Sequence, residues 1–259
     1  MNQAERLLFL IRYLLDENPA YREIGVPSDA AGQRYLLRAL LNVREPQSIR
    51  EEFLRVQDAY LQAETAEKGI TNAADLLPIQ PGIALWQGDI TTLKCDAIVN
   101  AANSGMTGCC CPNHGCIDNA IHTYAGGQLR LACAEIMEKQ GHPESSGQAK
   151  ITPAFNLPCR YVLHTVGPIV SGQVTARDKE LLVSCYRSCL ELAAQNQLES
   201  VAFCCISTGE FHFPNELAAQ IAVQTVKQFL TQKASVKKVI FNVFKDMDKK
   251  IYERLLQAD

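Results

Sequence analysis

From residue 83 to the end of the chain, short apolar segments alternate with amphipathic segments of helical period. The apolar segments predict strands at residues 83–88, 97–100, 160–166, 200–206 and 238–243. The amphipathic segments predict helices at residues 117–125, 127–140, 178–195, 216–230 and 246–256. Continuous apolar strands between helices are typical of a mostly parallel sheet covered on both faces. The sequence therefore predicts an α/β fold, in which ligands bind beyond the carboxyl ends of the strands.

The first 75 residues have a different texture. Leucine-rich stripes at helical spacing predict helices over residues 4–17, 32–42 and 48–68. Ser48 is expected to cap the start of the third helix and Gly69 its end. This part contains no histidine and no cysteine, so it has few groups for chemistry. We expect a helical extension at residues 1–75, packed on an α/β domain at residues 76–259.

Composition and charge narrow the classes of partner. The formal net charge is -3, and no basic run is present, which argues against nucleic acid as the main partner. The eleven cysteines are odd in number and several lie in apolar segments, as expected of free thiols rather than a disulfide framework. We find neither a signal peptide nor an apolar stretch of the about 20 residues that span a bilayer. We expect a cytoplasmic protein without a membrane partner.

A run of thiols and one histidine follows the second predicted strand, in the segment GCCCPNHGCID. Cys109, His114 and Cys116 have the spacing C-x4-H-x-C, and Cys111 could replace Cys109 as the first ligand. Thiolate and imidazole are ligands that Zn²⁺ prefers, and three protein ligands with one open position are typical of catalytic zinc. The alternative is a thiol-rich loop in which cysteines act as small apolar residues.

Five short motifs lie near the predicted strand ends, in the order G-D-I-T, N-A-A-N, I-D-N-A-I-H, H-T-V-G-P and I-S-T-G-x-F. In this combination and order, over about residues 75 to 259, the chain closely resembles the macrodomain family. Its cysteine-histidine loop resembles that of the zinc-dependent protein-ADP-ribose hydrolases in that family. The resemblance implies a three-layer α/β/α fold with a mixed, mostly parallel sheet, and one Zn²⁺ per chain on Cys109, His114 and Cys116.

The resemblance also implies an ADP-ribose site, and the residue types agree with it. Asp89 can accept a hydrogen bond from an adenine amino group, the loop at residues 207–211 can cradle a diphosphate, and Asn103 can bind the distal ribose. The expected ADP-ribose contacts are Asp89, Ile90, Asn103, Cys116, Ile117, Asp118, Ser207, Thr208, Gly209, Glu210 and Phe211. Asn103 and Asp118 are the expected catalytic residues. Simpler roles are also open, because Asp89 and Asn103 suit turns and Asp118 could cap a helix.

The implied function is removal of mono-ADP-ribose from modified proteins by a glycosidase-type hydrolase. Zinc-dependent members of this kind commonly occur beside a sirtuin-type ADP-ribosyltransferase and act on lipoyl-carrier proteins. A non-catalytic ADP-ribose reader is the second hypothesis, because the fold also supports binding without turnover. A deacetylase of O-acetyl-ADP-ribose is the third. An open zinc site favours an enzyme over a reader.

His122 and His164 are expected to make structural hydrogen bonds.

Overall fold

A computed structural model describes residues 1–232 and 234–257. Its strands are β1 (Thr71–Asn72), β2 (Ile83–Gln87), β3 (Leu93–Lys94), β4 (Ala97–Ala102), β5 (Ala149–Pro153), β6 (Tyr161–Val166), β7 (Ser200–Phe203) and β8 (Lys238–Val243). Six of them form one sheet in the order β2-β8-β7-β4-β6-β5. Strands β1 and β3 form a separate two-stranded parallel pair. Within the large sheet β5 alone runs antiparallel, against β6. The mixed, mostly parallel sheet is as expected.

Eight α-helices accompany these strands in the described residues. They are α1 (Gln3–Glu17), α2 (Ala30–Val43), α3 (Glu51–Lys68), α4 (Ile117–Ala125), α5 (Gly127–Gln140), α6 (Ala176–Gln195), α7 (Asn215–Leu230) and α8 (Asp246–Gln257). Helices α6, α7 and α8 pack side by side, and α6 and α8 contact the strands at the two ends of the sheet. Helices α4 and α5 pack together and contact β4 and β5. The result is the predicted three-layer α/β/α arrangement.

Helices α1 to α3 form the expected N-terminal extension and bury an apolar cluster of their own, in which Leu10, Ile11 and Phe53 are fully buried. Helix α1 begins with a capping box, because Asn2 accepts from the Glu5 amide at 3.0 Å and the Glu5 carboxylate accepts from the Asn2 amide at 2.8 Å. Helices α2 and α3 both contact α4 of the sheet domain. The extension therefore lies against the helix that follows the cysteine-histidine loop.

The predicted cap at Ser48 is wrong. Helix α3 begins at Glu51, its cap position is Arg50, and no side chain there bonds the helix. Ser48 instead offers its carbonyl to Nη2 of Arg44 at 3.1 Å. The end of the helix is as predicted, since Gly69 adopts φ 88° at the cap position. The apolar core of the sheet domain already includes Ala73, and the expected end of that domain at residue 259 lies outside the described residues.

The parallel strands bring their carboxyl ends to one edge of the sheet, and the loops with the sequence motifs start there. Asp89 follows β2, Asn103 follows β4, Gly167 follows β6 and Ser207 lies beyond β7. None of the described helices is long and apolar enough to cross a membrane. In sheets of this kind ligands bind at the carboxyl edge, which is where these loops meet.

Candidate active site at the carboxyl edge of the sheet

Between β4 and α4 the chain makes a loop that we call the metal loop, residues 103–116. Its tight path requires Gly108, which has φ 86°. A Cβ atom at this position would lie only 2.8 Å from Cγ of His122, so a larger residue would push the loop off the helix. The loop is therefore held closely against α4.

The metal loop brings together the three predicted zinc ligands. The ligand atoms of Cys109, His114 and Cys116 all lie within 4.8 Å of one another, and each residue is partly exposed. Nδ1 of His114 faces Sγ of Cys109 at 3.7 Å, while Nε2 lies 3.6 Å from Oε1 of Glu210. A carboxylate close to the second ring nitrogen is one of the partners that a metal-ligating histidine commonly has. Two thiols, one imidazole and an outer carboxylate are a donor set that fits zinc.

Without an ion, the Cys116 thiol is held in its neutral form. Burial, together with the adjacent Cys109 thiol, raises the pKa of Cys116 to about 12. A divalent ion would reverse this preference, because a coordinating thiol is deprotonated outright. Cys110 and Cys111 are exposed and lie outside the group of three. Between the two candidates for the first ligand, the geometry favours Cys109 over Cys111.

Asp118 is not the cap of α4, so the simpler role that the sequence left open for it is wrong. The cap is Cys116, whose sulfur accepts a hydrogen bond from the backbone N–H of Asn119 at 3.4 Å. Asp118 lies one residue inside the helix and is 4% exposed. A buried carboxyl group that does not cap the helix needs other partners.

Two amide side chains provide those partners. Nδ2 of Asn100 donates to Oδ1 of Asp118 at 2.8 Å, and Nδ2 of Asn103 donates to Oδ2 at 3.2 Å. Burial raises the pKa of Asp118 to about 6, and the hydrogen bonds and the positive charge of Arg130 oppose that rise. A carboxyl group with a pKa close to the working pH can accept and return a proton during catalysis.

Asn103 connects this carboxylate to the metal loop. Its Oδ1 accepts from the backbone N–H of Gly105 at 2.9 Å and of Met106 at 3.2 Å, which closes a turn. Its Nδ2 donates to the Gly108 carbonyl at 3.1 Å as well as to Asp118. The turn role that was the alternative for Asn103 is therefore present. The contact with a distal ribose stays a prediction.

At the other end of the edge, Asp89 precedes a one-turn helix that begins at Ile90. Oδ1 of Asp89 accepts from the amide and the hydroxyl of Thr91, and Oδ2 accepts from Nζ of Lys68 at 3.0 Å. Burial opposes ionisation of Asp89, but the Thr91 bonds and the charge of Lys68 outweigh it and lower its pKa. A carboxylate has about four acceptor positions, so one remains for a further donor, and the contact with an adenine amino group stays a prediction. Lys68 also lies 3.4 Å from the ring centroid of Tyr124.

The loop at residues 207–211 has the open backbone that an anion site needs. Among the described residues, no hydrogen-bond acceptor faces the backbone N–H groups of Gly209, Glu210 and Phe211. Successive free N–H groups form a concave surface that binds anions. Phe211 is partly exposed, whereas Thr208 bonds its hydroxyl to the Cys205 carbonyl at 3.0 Å.

A close contact with the next loop holds this segment in place. Ser207 has φ 65°, and its carbonyl accepts from the Phe213 N–H at 2.9 Å. A Cβ atom at Gly167 would lie 2.0 Å from Oγ of Ser207 and 2.9 Å from Cγ2 of Ile206, so a larger residue would displace both side chains. Gly167 of the H-T-V-G-P motif therefore has a physical role, because the absence of a side chain lets the loop after β6 contact the loop after β7.

The structure adds an aromatic residue that sequence analysis missed. Phe244 directly follows β8 and is 75% exposed. Its carbonyl accepts from Nε2 of Gln87 at 3.2 Å, and the Gly88 N–H bonds the Val243 carbonyl at 3.1 Å. The backbone of Phe244 therefore lies beside the turn that leads to Asp89. An aromatic residue directly after the last parallel strand was the available signal.

The two histidines of the motifs differ from each other. His164 makes the expected structural bonds, to Oγ1 of Thr152 at 2.9 Å and to Nδ2 of Asn100 at 3.2 Å. The expectation for His122 is wrong, because neither ring nitrogen has a hydrogen-bond partner in the described structure although the side chain is buried. Its ring packs under Gly108, and burial lowers its pKa well below the ordinary value.

This combination of fold and site defines a class. A family model described as "Macro domain" matches residues 99–222. A mutant of the Oceanobacillus iheyensis macrodomain with ADPR superposes with a TM-score of 0.64 at 39% identity, over 71% of this chain and 96% of that one. The Trypanosoma brucei macrodomain in complex with ADP-ribose has a TM-score of 0.65 at 30% identity, over 84% of this chain and 94% of that one. Both solved structures share the α/β/α fold described above.

Curated relatives extend the similarity over the helical extension. A protein-ADP-ribose hydrolase of Treponema medium is 58% identical over 99% of this chain and 100% of its own length. A protein-ADP-ribose hydrolase of Staphylococcus aureus strain MSSA476 is 48% identical over 98% of this chain and 96% of its own. The chain belongs to the macrodomain family, within the group of its hydrolases.

Proposed function

We propose that this protein is a zinc-dependent hydrolase that removes mono-ADP-ribose from modified proteins. The observation that supports it best is the convergence of Cys109, His114 and Cys116 beside the Asn103–Asp118 pair. A module that only binds ADP-ribose has no need for a metal with an open position or for a buried carboxyl group close to it. The full-length relatives that are named protein-ADP-ribose hydrolases support the same reaction.

The ligand would extend along the edge of the sheet. The adenine amino group would donate to Asp89, and the exposed ring of Phe244 would stack on the base. The diphosphate would accept from the backbone N–H groups of the loop at residues 207–211. The distal ribose would then lie between Asn103 and the metal loop. This orientation puts the scissile bond at the metal and the recognition groups away from it.

The reaction breaks the bond between the anomeric carbon and an atom of the modified protein while a water oxygen bonds to that carbon. The protein atom leaves with the electron pair of the broken bond and finally takes up the proton that the water gives up. When bound, zinc supplies Lewis acidity and an open coordination position for a water or a sugar hydroxyl. Asp118 accepts the proton that the attacking water loses, which a pKa of about 6 permits near neutral pH. Asn103 and Asn100 hold this carboxylate, and the shape of the metal loop positions the ribose for attack.

The test compares turnover and binding in one preparation. Zinc is measured in the purified protein, and ADP-ribose release from a mono-ADP-ribosylated protein is followed before and after chelation. We expect one zinc per chain, almost no release by chelated protein, and recovery when zinc is added back. Calorimetry should still detect ADP-ribose binding by the chelated protein, because the adenine and diphosphate contacts do not involve the metal. Full-rate cleavage by folded, metal-free protein would falsify the mechanism.

Two further comparisons separate the other hypotheses. Zinc-loaded protein that binds ADP-ribose but releases none from any modified protein would be a reader. Faster deacetylation of O-acetyl-ADP-ribose than release from protein would indicate the deacetylase. The Asn103→Ala variant should release ADP-ribose from the modified protein slowly and still keep its zinc. A loosely held distal ribose is no longer positioned for attack by water. A modified lipoyl-carrier protein is the first substrate to try, on the basis of the family resemblance.

A further inference from the structure

Helix α2 of the extension reaches the metal loop with two side chains one turn apart. Nη2 of Arg38 donates to the His114 carbonyl at 3.0 Å. Oδ1 of Asn42, which is 1% exposed, accepts from the Asn113 N–H at 2.9 Å, and its Nδ2 donates to Oγ1 of Thr123 at 2.9 Å. Two consecutive loop residues, one of them a zinc ligand in our proposal, are therefore bonded to a helix outside the sheet domain.

Asn119 carries the same network to the cysteines. Its Oδ1 accepts from Nε and Nη2 of Arg38 at 3.2 and 2.8 Å. Its Nδ2 donates to the carbonyls of Cys111 at 3.0 Å and Cys109 at 3.5 Å, and its backbone N–H donates to the Cys116 sulfur at 3.4 Å. Arg38 thus orients an amide side chain that bonds the Cys109 carbonyl, on a residue whose backbone N–H bonds the Cys116 sulfur. Arg38 also bonds the carbonyl of the histidine ligand directly.

We infer that Arg38 is a positioning residue for the metal, through which the extension presets the three ligands; this inference rests on the zinc site of the proposed function. The loop is partly exposed and has a left-handed residue at Asn113, φ 55°, so its conformation needs support from outside. A planar guanidinium with several fixed donors can bond a carbonyl and an amide oxygen at once. Without it, zinc must order the loop itself, and affinity falls.

The experiment measures zinc release from the full-length, zinc-loaded protein into an excess of a chromogenic chelator. Substitution of groups that orient metal ligands typically costs about 10–100-fold in metal affinity. We expect Arg38→Ala to release zinc at least about tenfold faster than wild type. Arg34→Ala is the matched control, because Arg34 lies one turn earlier on α2 and is 52% exposed. Its partners, Glu64 at 3.8 Å and Tyr60, lie on α3 and not on the metal loop. The control should release zinc at the wild-type rate.

A double-substitution cycle tests the route through the amide. If Arg38 acts through Asn119, the effects of Arg38→Ala and Asn119→Ala on zinc release should be less than additive. Arg38→Lys should restore part of the retention, since lysine can bond the His114 carbonyl but cannot hold Asn119 at the same time. Thermal unfolding of each variant checks that release is measured on folded protein, and Arg38→Gln replaces the alanine variant if that one does not fold.

The outcomes separate the two proposals. Wild-type zinc retention in the folded Arg38 variants would overturn the role of Arg38 and leave the zinc site intact. Equal acceleration in Arg34→Ala would also overturn it, because the effect would then belong to the helix and not to this side chain. A wild-type protein that binds no zinc would overturn both the inference and the proposed metal dependence.

Discussion

Cys109 and Cys111 lie two residues apart on the same loop, yet only Cys109 turns its sulfur toward His114, at 3.7 Å from Nδ1. Cys111 points to solvent and uses its carbonyl to bind Asn119. We therefore expect Cys109→Ser and Cys116→Ser to lose the bound zinc, and Cys111→Ser, the matched control, to keep it. Metal analysis of the three purified variants measures this. Zinc loss from Cys111→Ser with retention in Cys109→Ser would reverse the assignment.

A second prediction concerns the Asp89 carboxylate and the affinity for ADP-ribose. Asp89→Ala should weaken ADP-ribose binding by roughly one to two decades, because an unpaired buried amino group costs about 1–3 kcal/mol. Zinc content should not change, since Asp89 lies at the other end of the edge. Asp89→Asn is a useful companion, because it keeps an acceptor for the Thr91 bonds. An unchanged dissociation constant by calorimetry for Asp89→Ala would remove this residue from the site.

The sequence predicts the ligands of the proposed zinc but not the residues that hold them. Cys109, His114 and Cys116 are close in the chain, so spacing alone suggests that they share an ion. Arg38 reaches His114 across 76 positions and Asn42 reaches Asn113 across 71. No local pattern encodes such contacts, since an arginine on an amphipathic helix is normally a solvated surface residue. They depend on how the extension packs on α4.

Among the elements, the parallel strands of the large sheet are predictable from the sequence, whereas β5 and the two-residue strands β1 and β3 are not. Strands buried on both faces are continuous apolar runs, which explains why β4 and β8 were recognised. β5 has the sequence A-K-I-T-P, ends in proline and pairs only with β6 at the edge of the sheet. A short edge strand of this kind has little apolar signal. The start of α3 was misplaced for a similar reason, because no side chain caps it.

The contact between the loops after β6 and β7 leads to a prediction about ADP-ribose affinity. In Gly167→Ala the new Cβ would lie 2.0 Å from Oγ and 3.3 Å from Cβ of Ser207, and 2.9 Å from Cγ2 of Ile206. Rotation of the Ser207 hydroxyl removes only the first of these contacts, so we expect the two loops to shift apart. We expect ADP-ribose affinity to fall by about tenfold or more, since a loop that must reorder on binding adds an entropic cost. Zinc content should stay at the wild-type level. Gly25→Ala is the control, because nothing lies within 4 Å of a Cβ there.

Calorimetry and metal analysis on the same two variants measure this effect. Wild-type ADP-ribose affinity in Gly167→Ala would show that the loop tolerates the displacement. Loss of zinc as well as affinity would show that the two loops and the metal loop behave as one unit.

For the whole molecule, the sequence predicted two bodies, and the structure joins them around the site. The extension has its own apolar cluster, but Lys68 bonds Asp89 and Arg38 bonds the metal loop. An extension that served only to cover apolar surface would need neither contact. Leucine stripes predict that helices pack but not which polar side chains face a site, because packing direction is a tertiary property. Polar residues from the extension therefore contribute to both ends of the proposed ligand.

The buried histidines determine how stability of the whole chain responds to acid. Burial lowers the pKa of His164 to about 3 and that of His122 well below its ordinary value. In the unfolded chain both histidines have a pKa of about 6.5. Below that pH the unfolded chain therefore binds two protons, on His122 and His164, that the folded chain does not bind. Burial has the opposite effect on Asp118, with a pKa raised to about 6, so folding takes up one proton between about pH 4 and 6. Between about pH 4 and 6 the unfolded chain therefore binds a net one proton more than the folded chain, so the free energy of unfolding falls as the pH falls.

Folded protein in the presence of chelator should therefore lose about 1.4 kcal/mol of unfolding free energy per pH unit between roughly pH 6 and 4.5. Chelator removes the contribution of metal release to the same trend. His164→Gln should be less stable at pH 7, because its bonds to Thr152 and Asn100 change, yet flatter across this window. His142→Gln, in an exposed loop, should keep the wild-type slope. Denaturant titrations at half-unit intervals give these slopes, and equal slopes for wild type and His164→Gln would mean that His164 is protonated in the folded chain.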